Sequence, residues 1–308
     1  MSINLHHLRL FTSVVDRGGF TKAAAALHLS QPAISKSINE LEKQLHLSLL
    51  DRSSRTVKLT DAGETLYAHA KQLFGVERAA EQDLRELRGM KRGVLRVAAS
   101  TTIATYMLPG ALGRFHLRHP GVQISVASAN TRQVLKMLLQ WHVDVALVEG
   151  PATHPRVHAH PWRDDELVVI APPDHRLVAG ADVTDLAHET FLVREPGSGT
   201  RVVTENALER SGVRLSRTMR VGGTEAMKQG VAAGLGLAIV SRAAAADQLQ
   251  LGKVVVVPVR GFKIVRQLTR LTLEGRSPTA PARELSQLLE EDAGTVAADA
   301  SGDGGASR

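Results

Sequence analysis

The sequence contains no cysteine. That excludes disulfides, thiolate nucleophiles and cysteine-bound zinc, so any metal would have to rest on histidine and carboxylates. A long hydrophobic run is missing too: the longest apolar stretch, residues 231–240, is interrupted by Gly234 and Gly236 and falls short of the roughly 20 residues a membrane helix needs. The start shows no basic segment leading into an apolar one with a small-residue cleavage site, which predicts a cytoplasmic protein with no membrane partner. What is present is 308 residues, 43% of them apolar, enough to build two or three packed units. The net charge of +7 suits a polyanionic partner. Cations are denser towards the N-terminus, where residues 1–92 carry fourteen Lys and Arg against ten Asp and Glu.

Leu5, Leu8, Phe11, Val14 and Val15 recur at helical spacing and stop at Gly18-Gly19, predicting a first helix with a glycine terminator. Thr21 offers an N-cap to a short second helix ending near Leu27, and His28-Leu29 forms a turn. Ser30 caps a third helix with Pro32 in its first turn, where a missing N–H is harmless. In that helix Ile34, Ile38, Leu41 and Leu45 share one stripe, which leaves Pro32, Ser35, Lys36, Asn39 and Lys43 facing outward. Residues 50–60 then place a Ser- and Arg-rich turn between two short apolar segments, as in a two-stranded wing.

Proline is also absent from residues 61–88, where glycine occurs only at 63 and 75. A long helix is expected there. Leu66, Ala70, Leu73, Ala80, Leu84 and Leu87 follow a four-and-three spacing, interrupted by Glu77, that suits pairing with a second copy of the chain, the alternative being packing on its own domain. A basic, glycine-flanked hinge occupies 89–93. Beyond it strand and helix patterns alternate twice over, which predicts a two-lobed α/β domain at 94–291. Lobe 1 takes about 94–163 and 264–291, and lobe 2 about 164–263. The Ala-, Gly-, Ser- and Asp-rich tail at 292–308 is expected to be disordered.

Several stretches carry a family resemblance. Phe20-Thr21-Lys22-Ala23-Ala24, Ser30-Gln31-Pro32-Ala33-Ile34-Ser35, Leu41-Glu42 and Leu59-Thr60-Asp61-Ala62-Gly63 closely resemble the signature of LysR-type transcription regulators. His46 departs from it, standing where the family usually has glycine, so a different helix end is expected. The resemblance implies an α+β multi-domain chain: a winged helix-turn-helix at 1–60, a linker and dimerisation helix at 61–88 with Leu66, Leu73, Leu84 and Leu87 in its seam, and an effector domain like a periplasmic binding protein. It implies double-stranded promoter DNA as partner, a dimer that associates into a tetramer, transcriptional activation, RNA polymerase as a further partner, and no cofactor. Recognition helices present short polar side chains to base edges while flanking groups hold phosphates. The base-contact candidates are therefore Gln31, Pro32, Ser35, Lys36 and Asn39, and the phosphate candidates Thr21, Ser30, Arg52, Arg55 and Lys58.

In the second domain the stretches 98–102, 148–150 and 194–200 resemble the branch that regulates sulfur assimilation and carbon-fixation operons, whose members answer to small anions. Ser100, Thr101, Thr102, Thr131, Glu149, Ser198, Thr200 and Thr224 all fall at predicted strand C-ends or helix starts, where α/β sheets place ligands. Residues 197–201 offer backbone N–H groups, hydroxyls and a helix N-terminus to an anion. Glu149 is an ill-suited neighbour for one and better placed to hold a hydroxyl or a hinge backbone. His154, His158 and His160 occupy a proline-containing crossover without metal-ligand spacing, and His188-Glu189 lacks a zincin's second histidine. A cleft between α/β lobes could also be catalytic, but no nucleophile-base-orienter grouping is visible. A transport protein would need a secretion signal and no winged helix.

Overall fold

A computed structural model describes residues 2–51, 57–87 and 93–302. The chain forms two compact units, 1–81 and 82–308.

In the first unit α1 (Leu5–Arg17), α2 (Phe20–Leu27) and α3 (Gln31–Leu45) enclose Phe11, Ile34, Ile38, Leu41 and Leu49, all without solvent exposure. The apolar stripe of α3 is thus its inner face. Ser30 caps α3 by accepting the Ala33 N–H at 3.3 Å. Thr21 does not cap α2: the helix starts at Phe20 with Gly19 in the cap position and no side-chain cap. The left-handed Gly18 (φ 68°) turns the chain sharply enough to start α2 early, and the Thr21 hydroxyl donates instead to Gln31 Oε1 at 3.3 Å. β1 (Leu50–Asp51) pairs antiparallel with β2 (Lys58–Leu59), giving the wing its stem. The Glu42 carboxylate anchors that stem by accepting the N–H groups of Leu49 and Leu50 at 2.7 and 3.2 Å.

α4 (Asp61–Leu87) uses its apolar residues in two ways. Tyr67, Ala70 and Phe74 complete the core of the first unit, with Leu66 packed beside them. Glu77 turns back to Arg9, accepting at 2.6 and 2.7 Å, while the Arg9 guanidinium lies 4.4 Å above the Phe74 ring. Leu66 and Ala70 therefore serve their own domain, whereas Leu73, Val76 and Leu84 are exposed. The Leu87 side chain and most of the expected hinge lie outside the described residues, as do Arg52 and Arg55.

The second unit opens with β3 (Val94–Ser100), a π-turn that runs into α5 (Leu108–Arg118), β4 (Gln123–Ala129), α6 (Thr131–Leu139) and β5 (Val145–Glu149). β6 (Val157–Ala171) then crosses into the other lobe, which holds β7 (Ala181–Asp182), β8 (Thr190–Val193), α7 (Gly199–Arg210), β9 (Arg217–Arg220), α8 (Thr224–Ala232), β10 (Leu237–Ser241) and α9 (Arg242–Gln250). β11 (Val255–Val256), β12 (Val259–Arg260), the returning β13 (Ile264–Leu273) and α10 (Ala280–Gly302) complete it. The main sheet has the order β4-β3-β5-β13-β6-β10-β8-β9, with β11 also on β6. Its outer strands are parallel, as the alternation predicts, while β6 and β13 pair antiparallel along their length.

Three expectations are corrected by these elements. His158 and His160 stand on β6 rather than in a loop crossover, with His160 Nε2 2.9 Å from the Thr272 hydroxyl. The sequence hides this strand because its first half alternates polar residues and includes Pro161, which pairs with Thr269 beside a register shift. The lobe boundary falls inside β13, since Ile264 packs in the core of lobe 2 and Leu268 in that of lobe 1. The expected disordered tail is helical up to Gly302, in a segment whose alanines favour helix; residues 303–308 lie outside the described residues.

His46 ends α3 in the left-handed conformation (φ 54°, ψ 32°), its N–H bonded to the carbonyls of Glu42 and Lys43. The helix end keeps the shape glycine would give it. His46→Gly should therefore raise the stability of the first unit by about 0.5–1 kcal/mol, the left-handed penalty less glycine's extra chain entropy. Urea unfolding followed by circular dichroism measures this, and an unchanged or lower midpoint would contradict it.

Candidate functional site

In the first unit Thr21, Ser30, Gln31, Pro32, Lys36 and Lys58 are all exposed, and Ser35 and Asn39 are half-buried on the same outer side of α3. Inward packing of Ile34, Ile38 and Leu41 dictates that orientation. The result is a small polar face bordered by cations, the surface a major groove admits.

In the second unit the C-terminal ends of β3, β5 and β8 and the N-termini of α7 and α8 converge between the lobes. The approach is closest at Gly199, where an added Cβ would lie 1.5 Å from the Glu149 carbonyl. Thr131 fixes the same carbonyl, its hydroxyl donating at 3.0 Å. Glu149 is 1% exposed. Its Oε1 accepts the hydroxyls of Thr102 and Thr200, one from each lobe, at 3.2 and 2.8 Å. Glu149 thus holds hydroxyls, the role for which the sequence suits it.

Arg266, 4% exposed, balances Glu149. It donates through Nε to Asp165 at 2.8 Å and through Nη1 to Thr200 at 2.8 Å. Its Nη2 lies 2.8 Å from Glu149 Oε2 and 2.7 Å from Asp165 Oδ2. Both Nη2 and Glu149 Oε2 nevertheless lack a well-aligned hydrogen bond, so their contact acts through charge more than direction. Ser241 donates to the other oxygen of Asp165 at 2.6 Å.

Farther from the crossing strands, Arg194 is 2% exposed. It meets the Glu195 carboxylate through Nε and Nη2 at 2.9 and 3.0 Å, and Thr224 through Nη1 at 3.1 Å. The hydroxyls of Thr224 and Thr102 are 3.2 Å apart across the lobes. Burial pushes the Glu195 carboxyl up, but the guanidinium beside it outweighs this and holds it below the usual range. At the outer edge Tyr106 of lobe 1 donates to Glu225 of lobe 2 at 2.6 Å. With Gln229 and Lys228 that bond brings the Glu225 pKa down to about 2. The Lys228 ammonium stands 4.4 Å above the Tyr106 ring.

The structure thus gathers Thr101, Thr102, Thr131, Glu149, Thr200 and Thr224 through direct contacts. Ser198 is spent differently, capping α7 by accepting the Arg201 N–H at 3.4 Å. The Ser100 hydroxyl is buried without a partner among the described residues, and α8 begins without a side-chain cap. The residues missed in the sequence are Arg194, Asp165, Ser241 and Arg266. Two had a signal: Arg194 follows a predicted strand directly, and Arg266 shares the period-two inward face of Ile264 and Leu268. Among the described residues no cluster of His, Asp and Glu could hold a metal ion, and no helix is long and apolar enough to cross a membrane.

Two family models match the chain: a bacterial regulatory helix-turn-helix protein of the lysR family over residues 5–64, and a LysR substrate binding domain over residues 88–294. A RuBisCO operon transcriptional regulator of Allochromatium vinosum is 36% identical over 286 residues, 92% of this chain and 94% of that protein. The regulatory domain of CcmR from Synechocystis PCC6803, solved in complex with 2-PG, is 29% identical with a TM-score of 0.61, over 66% of this chain and 98% of that one. Full-length CbnR complexed with its target DNA shares the fold, with a TM-score of 0.65 at 21% identity over 95% and 99% of the two chains. These families and relatives are regulators of transcription, not enzymes. With a winged helix-turn-helix at one end and a two-lobed effector-binding domain at the other, the chain belongs to the LysR family of bacterial transcription regulators.

Proposed function

We propose that this regulator senses a small anionic metabolite between its lobes and, on binding it, changes how promoter DNA is bent. The observation that carries the reading is Arg194, a buried guanidinium surrounded by Thr101, Thr224 and the uncapped start of α8. Its carboxylate partner, Glu195, is 29% exposed. The charges set a condition. Arg194 and Arg266 face Glu149, Asp165 and Glu195, a net of one negative charge, so an anion enters by taking Arg194 from Glu195. Its remaining oxygens would meet Ser100, Thr102 and Thr224. The relative solved with 2-PG supports a small effector in this domain.

Exposed Leu73, Val76 and Leu84 on α4 support pairing of two chains, which would set two recognition helices on a two-fold symmetric operator. Association of the effector domains into a tetramer, activation and contact with RNA polymerase extend that scheme. The effector would change DNA bending by favouring one lobe arrangement over another. Footprints of the same extent and bend with and without effector would reject this mechanism.

The cleft is tested by thermal shift of the full chain against sulfite, sulfate and phosphorylated acids. At a hundredfold excess over its dissociation constant, a ligand adds about 2.7 kcal/mol of stability. Arg194→Gln should weaken the binding at least about thirtyfold, the loss expected when a desolvated charge pair is broken. Binding of cations or neutral amines only, or unchanged anion affinity in the variant, would reject the anion pocket.

On DNA, log affinity should fall linearly with log salt. Lys58→Ala should weaken all sequences alike and reduce that slope by about one unit, while Gln31→Ala should cost about 1–3 kcal/mol on the operator alone. Fluorescence anisotropy on operator and scrambled duplexes separates the two, and equal losses on both duplexes for Gln31→Ala would remove it from base reading.

A further inference from the structure

Lobe 2 holds a cavity of about 610 Å³ beside α7, walled by β8, β9, β10 and residues 212–215. It originates in the sequence of α7. A helix lying on a sheet buries positions i, i+4 and i+8, and on α7 one such row is Thr200, Thr204 and Leu208. Leu208 is buried at one end, and Thr200 is sealed into the interlobe cluster at the other. The middle position carries a threonine, too short to fill the gap below it. The floor is apolar, formed by the buried side chains of Phe191, Met227 and Ile239.

Two features specify what the cavity would take. The Thr204 hydroxyl lines it, is shielded from solvent, and has no hydrogen-bond partner among the described residues. Such a group is costly to leave unsatisfied. The charges around the wall cancel: Arg194 is matched by Glu195, Arg201 by Glu205 at 2.7 Å, and the exposed Arg214 and Glu209 are of opposite sign. The volume lies within the roughly 300–1,000 Å³ of small-molecule sites.

We propose that this cavity is a second small-molecule site, for an uncharged molecule with an apolar body and one hydrogen-bonding group held by Thr204. It lies within lobe 2 and abuts the interlobe cleft, with which it shares Arg194 and Thr200, and it does not depend on the effector there being an anion. The two are joined through α7, because an occupant displacing the helix also displaces Thr200, which bonds Glu149 and Arg266.

The test is calorimetric titration of the full-length protein with indole and with benzyl alcohol, for wild type, Thr204→Val and Thr204→Leu. The expected result is saturable uptake of one molecule per chain. Thr204→Val keeps the shape without the hydroxyl and should weaken benzyl alcohol at least threefold. Thr204→Leu fills the row, and should abolish uptake while melting no lower than wild type. If the wild type takes up neither probe, or if Thr204→Leu binds as wild type does, the proposal is overturned. Should Thr204→Leu melt lower, Thr204→Val decides alone, and wild-type affinity for benzyl alcohol in that variant overturns it.

Discussion

The effector domain depends on one buried guanidinium. Arg266 stands on a strand shared by both lobes and is in contact with Glu149, Asp165 and Thr200 at once. Two carboxylates this deep would each be expensive alone. One cation between them makes the arrangement tenable, and removing it would leave uncompensated charges of the kind that cost about 3–5 kcal/mol. Thr102 and Thr200 then bring the two lobes onto the same Glu149 oxygen. The seam is tight because Gly199 and Gly150 let backbone approach backbone, leaving no room for a side chain.

Much of this was legible in the sequence for definite reasons. The helix-turn-helix announces itself through local signals: a glycine stop at Gly18, a serine cap at Ser30 and an apolar stripe at Ile34, Ile38 and Leu41. The loops that meet between the lobes were legible because α/β topology fixes where strand C-ends lie. What escaped was non-local. β6 breaks the alternation rule with histidines, a proline and an inward Asp165, and the last makes sense only once Arg266 is opposite. The seam on α4 suits a second copy or its own domain, and its first half faces α1, because a heptad pattern does not say whose surface it meets.

The two units solve similar problems differently. In the DNA-reading unit few polar groups are buried, Lys71 being held by Asp16, and Glu42 is spent on fixing the wing stem. In the sensing unit polar groups are sealed inside, where each must be matched. Among those incompletely matched are the Ser100 and Thr204 hydroxyls, which lie at the two places where a ligand is proposed.

The topology also constrains how the chain is made. Lobe 2 is inserted within lobe 1, whose sheet is completed by β13 and whose core is filled by Leu285, Leu288 and Leu289 of α10. Trp162, near the start of the insertion, donates to the carbonyl of Leu289. During synthesis the first lobe to emerge is therefore the last to finish: β5 waits with an open edge while the whole second lobe is translated. Such an edge attracts wrong partners, so a ribosome pausing within residues 172–263 would lengthen the period in which nascent chains can aggregate.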